Sequence, residues 1–175
     1  MLNKTFTPFP VLTTERFTLR QPAMDDEQEI FTLRSEREIN KYLNRKPAYT
    51  IDDARNFINN VNENTDKGNS LYWAITFSDQ NISVGTICIF SLSGENNKCE
   101  IGYELLTNFQ GKGIMKEAVE EVIDYAFNTI KVQKIEAFSH RDNQGSIKLL
   151  EKLSFRNSNV ADKTDPDLVC YHLTN

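Results

Sequence analysis

Gly111 and Gly113 stand at the junction between a strand-like stretch and the longest amphipathic stretch of the chain. The chemistry such a junction could do is anion binding. The first turn of a helix leaves backbone N–H groups without partners, and the macrodipole adds partial positive charge there. Glycine lets that backbone approach a ligand with no Cβ in the way. Strand, glycine turn and helix together make a phosphate cradle, beside which Lys112 and Lys116 could add charge. The same two glycines also suit a plain strand-to-helix turn. Two other phosphate loops do not fit: a Walker loop needs Ser or Thr after Gly-Lys, whereas Gly113 follows Lys112, and the dinucleotide fingerprint needs a third glycine where Lys116 stands.

The elements that must position this turn follow from periodicity. Leu12 to Arg20 contains the alternation Arg16-Phe17-Thr18-Leu19-Arg20 of a half-buried strand. Asp25 and Asp26 open a helix with Ile30 and Leu33 on one face. Thr50-Ile51-Asp52-Asp53 is a helix-start box, followed by the apolar stripe Ala54, Phe57, Ile58 and Val61. Leu71 to Phe77, Ile82 to Leu92 and Cys99 to Leu106 predict an antiparallel meander. The period then changes: Ile114, Ala118, Val122 and Ala126 form a helical row beside Met115, Val119, Ile123 and Phe127. A strand over Lys134 to Ser139, a helix over Asp142 to Leu153, a late loop over Asn157 to Asp167 and a strand over Leu168 to Leu173 complete the chain. No repeat or linker composition interrupts it. The expectation is α/β: one domain over residues 1–175 with a mixed, mostly antiparallel central sheet flanked by helices.

Bulk composition excludes several function classes. Apolar residues are 39% and charged residues 26%, as in a soluble globular protein. No apolar run approaches the roughly 20 residues that span a bilayer, so no membrane partner is expected. The net charge of −5 with scattered basic residues argues against nucleic acid, whose backbone needs clustered Lys and Arg. Cys88, Cys99 and Cys170 lack metal-knuckle spacing, so no metal is expected. Their odd number, behind an N-terminus with no apolar signal stretch, points to reduced thiols in the cytoplasm.

Several segments together resemble the GNAT N-acetyltransferases, within them the RimJ/RimL-like branch. Gln110-Gly111-Lys112-Gly113-Ile114-Met115 resembles the family's Gln/Arg-x-x-Gly-x-Gly/Ala loop, Glu100-Ile101-Gly102-Tyr103-Glu104-Leu105 its "EIGYxL" strand, and Asp142-Asn143-Gln144-Gly145-Ser146 with Leu150-Glu151-Lys152-Leu153-Ser154-Phe155 its "DNxxS…LEKLGF" stretch. Glu15 to Arg20 resembles the branch's opening. The resemblance implies acetyl-coenzyme A as co-substrate and a primary amine as acceptor, such as the N-terminus of a ribosomal protein or a small molecule. It implies that the backbone of Gln110 to Met115 holds the pyrophosphate, that Tyr103, Glu104 and Leu105 pair with the pantetheine arm like an added strand, and that Asn143 bonds the arm. It leaves a homodimer open. Three positions depart from the pattern: Met115 replaces a glycine or alanine, Ser154 the glycine of "KLGF", and Leu150 a tyrosine credited with protonating the leaving thiolate.

Acetyl transfer needs a base for the ammonium, a donor for the carbonyl oxygen and a partner for the leaving thiolate. Glu100, directly or through a water, is the expected base; by alternation it shares a face with Gly102 and Glu104. A salt-bridged glutamate fits the same position, and Glu104 is the reserve. Ser146 is the expected hydrogen-bond donor to the thiolate, a role carried over from the branch. Asn143 equally suits a helix N-cap, and His140 and His172 suit structural roles. A non-catalytic acyl-CoA sensor and a plain interaction protein are the competing classes. The acids Asp25, Asp26, Glu27, Glu29, Asp162, Asp165 and Asp167 could draw a basic acceptor, although acids at a helix start also answer the dipole.

Overall fold

Successive strand residues point to opposite faces, and in β3 (Leu71–Phe77) two neighbours show what each face carries. Tyr72 meets Phe57 of α3 (Ile51–Asp66), whereas Trp73 meets Tyr125 of α4 (Ile114–Tyr125). Helices therefore cover both faces of the sheet. The computed structural model describes residues 2–162 and 164–175. Its eight strands run in the order β1-β2-β3-β4-β5-β6-β8-β7. They are β1 (Leu12–Thr13), β2 (Phe17–Arg20), β3, β4 (Ser83–Ser93), β5 (Lys98–Leu105), β6 (Lys134–His140), β7 (Arg156–Ala161) and β8 (Leu168–Thr174). Every pairing is antiparallel except β5 with β6, which α4 connects by crossing one face. This is the mixed, mostly antiparallel sheet that the sequence predicts.

The main core lies between the sheet and α4, where Ile114, Ala118 and Val122 pack on Ile87, Ile89 and Ile101. A smaller cluster of Ile30, Leu33, Ala54 and Ile58 joins α3 to α1 (Glu27–Ser35) on the other face. A short helix α2 (Arg37–Asn40) follows α1, and α5 (Gln144–Lys152) follows β6. No helix among the described residues is long and apolar enough to cross a membrane.

Four details differ from periodicity alone. The Leu12 to Arg20 stretch is two strands, because Thr14 turns the chain: its N–H donates to the Phe17 carbonyl and its Oγ1 accepts the Phe17 N–H. Asn157 to Asp167 is not all loop. It contains most of β7, an edge strand whose register slips between Asn157 and Ala161. The α4 row ends in one wide π turn, Ala126–Ile130, closed by Lys131 at φ +70°. Ser154 does take the left-handed conformation expected of the missing glycine, at φ +66°. Its N–H bonds Glu151 and that of Phe155 bonds Leu150, which is the Schellman end of α5.

One feature of the sheet positions the cavity and its lining residues. β5 and β6 pair only from Lys98, Cys99 and Glu100 to Lys134, Ile135 and Glu136. β5 then runs on to Leu105 and β6 to His140 without pairing to each other, while their outer edges stay paired to β4 and β8. A wedge opens between them, with one free edge of β5 along it.

Candidate active site

At the mouth of the wedge the chain leaves β5, makes a tight turn at Thr107–Phe109 and enters the glycine loop. Gln110 anchors the loop from within: its side-chain amide donates to the Leu105 carbonyl at 3.0 Å. Gly111 and Gly113 sit at φ +74° and +75°. A Cβ on Gly113 would meet nothing nearer than Arg16 at 3.7 Å, so the backbone conformation, not crowding, calls for glycine there. Gly113 is the N-cap of α4 and supplies no side chain to cap it. Among the described residues, no acceptor bonds the backbone N–H groups of residues 111 to 116.

An ionic clamp holds that loop from outside. Glu117 accepts from the Thr14 hydroxyl at 2.6 Å, the Arg16 N–H at 2.9 Å and the Arg16 guanidinium at 2.7 Å. Arg16 also donates to the Lys112 carbonyl at 3.3 Å. Burial pushes the Glu117 carboxyl up, but these bonds prevail and hold it below the usual glutamate value. The clamp joins positions about a hundred residues apart, so no local pattern in the sequence discloses it.

A cavity of about 730 Å³ runs from the loop along the free edge of β5 to the start of α5. It gathers Tyr103, Glu104 and Leu105 of β5, Gln110, Gly111, Gly113, Ile114 and Met115 of the loop and α4, and Asn143 and Ser146 of α5. Lys112 and Glu100 do not line it. The Lys112 ammonium stands over Phe109, and Lys116, paired with Glu120 at 2.7 Å, lines the loop side, with Lys41, Lys148 and Lys152 around the opening. Glu100 sits at the apex of the wedge, in register with Phe90 on one side and Glu136 on the other.

The start of α5 is built around Asn143. Its Oδ1 accepts the Ser146 N–H at 3.2 Å, so it caps the helix as its residue type allows. Its amide nitrogen bonds no described residue, which leaves a donor at the cavity wall. The Ser146 hydroxyl lies 3.0 Å from the Tyr103 hydroxyl. Burial pushes the Tyr103 phenol up to about 12, only partly offset by that bond. Leu150, the position where the family pattern has a tyrosine, is fully buried in the core and has no hydroxyl to donate.

Glu104 has a partner that the sequence reading missed. Arg45 grips its carboxylate with two nitrogens, at 2.6 and 2.5 Å, while bonding Asn40 and the Leu33 carbonyl. Burial would lower the Arg45 pKa, but Glu104 raises it overall, so the cation persists. Both Glu104 carboxylate oxygens are thereby engaged by Arg45. Tyr42, from the loop after α2, stacks on His140 at 5.3 Å, and the His140 Nδ1 accepts the Asp142 N–H. Several of the acids that could draw a basic acceptor are already engaged: Asp26 is buried against Arg20, Glu27 bonds Arg55, and Asp167 bonds Arg141.

An uncapped helix start, a free strand edge and an amide donor around one cavity suit a long anionic thioester carrier. The sequence profile of the acetyltransferase (GNAT) domain matches residues 16–156. The uncharacterized N-acetyltransferase p20 of Bacillus licheniformis is 36% identical over 145 residues, covering 83% of this chain and 82% of its own. The [ribosomal protein uS5]-alanine N-acetyltransferase of Escherichia coli is 30% identical over 103 residues, 58% of this chain and 53% of its own. Mycobacterium smegmatis RimJ, solved with CoA-disulfide, superposes with a TM-score of 0.85 at 18% identity, over 94% of this chain and 87% of its own. The chain belongs to the GNAT family, as an acetyl-CoA-dependent N-acetyltransferase with RimJ/RimL-like fold neighbours.

Proposed function

We propose that the cavity binds acetyl-CoA with its pyrophosphate on the N–H groups of Gly111 to Met115 and its arm along the edge of Tyr103, Glu104 and Leu105. The observation that carries this reading is the free edge of β5, leading from an uncapped helix start to Asn143 and Ser146. Unpaired N–H and C=O groups along that edge suit an amide-rich arm in the manner of an added strand. The Asn143 amide nitrogen donates to the arm. Acetyl-CoA supplies an activated acetyl group; the acceptor nitrogen bonds the acetyl carbon as the carbon–sulfur bond breaks.

Glu100 takes the proton from the acceptor ammonium through a water, because it lies at the apex of the wedge on the face away from Tyr103. Ser146 donates a hydrogen bond to the departing sulfur. The acceptor is a primary amine at a protein N-terminus, entering on the face of β5 that carries Glu100 and Glu104. A polypeptide N-terminus is favoured by the relative that acts on the alanine of ribosomal protein uS5. Residues 1–175 work as one acetyltransferase unit in the cytoplasm.

A screen of peptide N-termini and small amines, read by release of free thiol, tests this. The expected result is release with a peptide acceptor, cut about 100-fold in Glu100→Gln and about tenfold in Ser146→Ala. Tight acetyl-CoA binding with no release on any acceptor would replace the enzyme with a sensor. Release only with small amines would replace the peptide acceptor.

A further inference from the structure

Tyr103 does more than lend its backbone to the strand edge. Its side chain leaves β5 on the face opposite Glu100 and reaches the start of α5, where its hydroxyl lies 3.0 Å from that of Ser146. Among the described residues neither hydroxyl has another partner. Both residues line the cavity, together with Asn143, which fixes the Ser146 backbone through its cap. The two hydroxyls are thus a pair with one internal bond and one proton left to aim.

Which oxygen donates follows from acidity. A phenol is the stronger acid and the better donor, and an alkyl hydroxyl oxygen the better acceptor. The favoured order is Tyr103 O–H to Ser146 Oγ. That leaves the serine proton to be donated elsewhere, and polarisation along the chain strengthens it as a donor.

Resting on the acetyl-transfer reading above, we propose that Tyr103 is a positioning residue for the leaving group: its phenol bonds Ser146 Oγ and turns the serine proton toward the departing sulfur. As the carbon–sulfur bond breaks, the electron pair stays on sulfur and meets the Ser146 O–H. Neither hydroxyl gives up its proton. The phenol holds its own at about 12, whereas a free thiol ionises near about 8.5, so full transfer to the thiolate would run uphill. Coenzyme A leaves as a stabilised thiolate and takes its proton from solvent. The fully buried leucine at position 150 thus leaves no gap in the chemistry, because the stabilising hydroxyls come from the neighbouring strand and helix start.

The test uses the full chain and coenzyme A itself, with no acceptor present. Ionisation of the bound thiol is followed by the ultraviolet absorbance of its thiolate, and affinity by calorimetry, in wild type, Tyr103→Phe, Ser146→Ala and the double variant. Tyr103→Phe keeps the ring in its packing, and its affinity for coenzyme A is expected to stay within about twofold. The bound thiol should ionise at lower pH in wild type than in either single variant, with the double variant no different from Ser146→Ala. Ser146→Thr, which restores a hydroxyl, should return ionisation toward wild type. Turnover in Tyr103→Phe should fall about tenfold with little change in KM. Equal thiol ionisation in wild type and Tyr103→Phe would overturn the proposal while leaving acetyl transfer standing. Failure of wild type to bind coenzyme A would overturn both.

Discussion

At the start of α3, Thr50 and Asp53 cap the helix: the Thr50 hydroxyl accepts the Asp53 N–H, and the Asp53 carboxylate takes the N–H groups of Tyr49 and Thr50. At the start of α4, Gly113 brings no side chain, and the N–H groups of residues 111 to 116 bond nothing among the described residues. Both ends carry the same unsatisfied donors and the same partial positive charge. In α3 the protein supplies the anion, whose carboxyl is accordingly held below its usual value. In α4 the anion must come from outside. A helix start becomes a binding site when the chain withholds its own cap and keeps the approach clear with glycine.

Converting one start into the other should have the largest effect. Gly113→Asp places a carboxylate at the N-cap of α4, where α3 carries Thr50 with its acid three residues on, in a backbone conformation that Asp tolerates better than most residues. Affinity for acetyl-CoA should fall about 100-fold, roughly 2.7 kcal/mol, while stability falls by about 1 kcal/mol from the left-handed backbone at position 113. Undiminished binding in calorimetry would break the comparison.

Next comes the clamp that holds the open start in place. Glu117→Gln removes the charge that Thr14 and Arg16 address, and should cost about 1.5 kcal/mol in denaturant unfolding after allowing for the half-exposed Arg16. Its pH dependence has a definite sign. A carboxyl held below its ordinary value of 4.5 contributes stability above that value and loses it as pH falls through the lower, folded value. The unfolding free energy of wild type should therefore drop as pH falls below about 4.5, and the Gln variant should lack that component.

The capped start gives the converse. Thr50→Ala should lower stability by about 1 kcal/mol and leave acetyl-CoA affinity unchanged. The smallest change is at the far end of α5, where Ser154→Gly relieves a left-handed serine. It should raise stability by about 0.5–1 kcal/mol in the same unfolding experiment, with no effect on binding.

The two helix starts also show how much a sequence can disclose. The α3 box is local, three residues from cap to acid, and was legible at once. So was the α4 stripe behind its glycines, and Ser154 betrayed its conformation by standing where a glycine belongs. The site's side-chain partnerships were hidden because they join distant positions. Arg45 meets Glu104 across 59 residues, Tyr103 meets Ser146 across 43, and Arg16 meets Glu117 across 101. No periodicity encodes such a contact. β7 was missed for a different reason. At the sheet edge its Arg156, Asn157, Ser158 and Asn159 need no apolar alternation, and Asn159, at φ +55°, breaks what period there is.

If the open N–H groups of α4 take the pyrophosphate, amide resonances followed during an acetyl-CoA titration report on them directly. The largest amide proton shifts are expected at Gly111 to Lys116, with Ile51 to Ala54 of the self-capped α3 unmoved. Shifts confined to other segments, with Gly111 to Lys116 at their free positions under saturating acetyl-CoA, would contradict it.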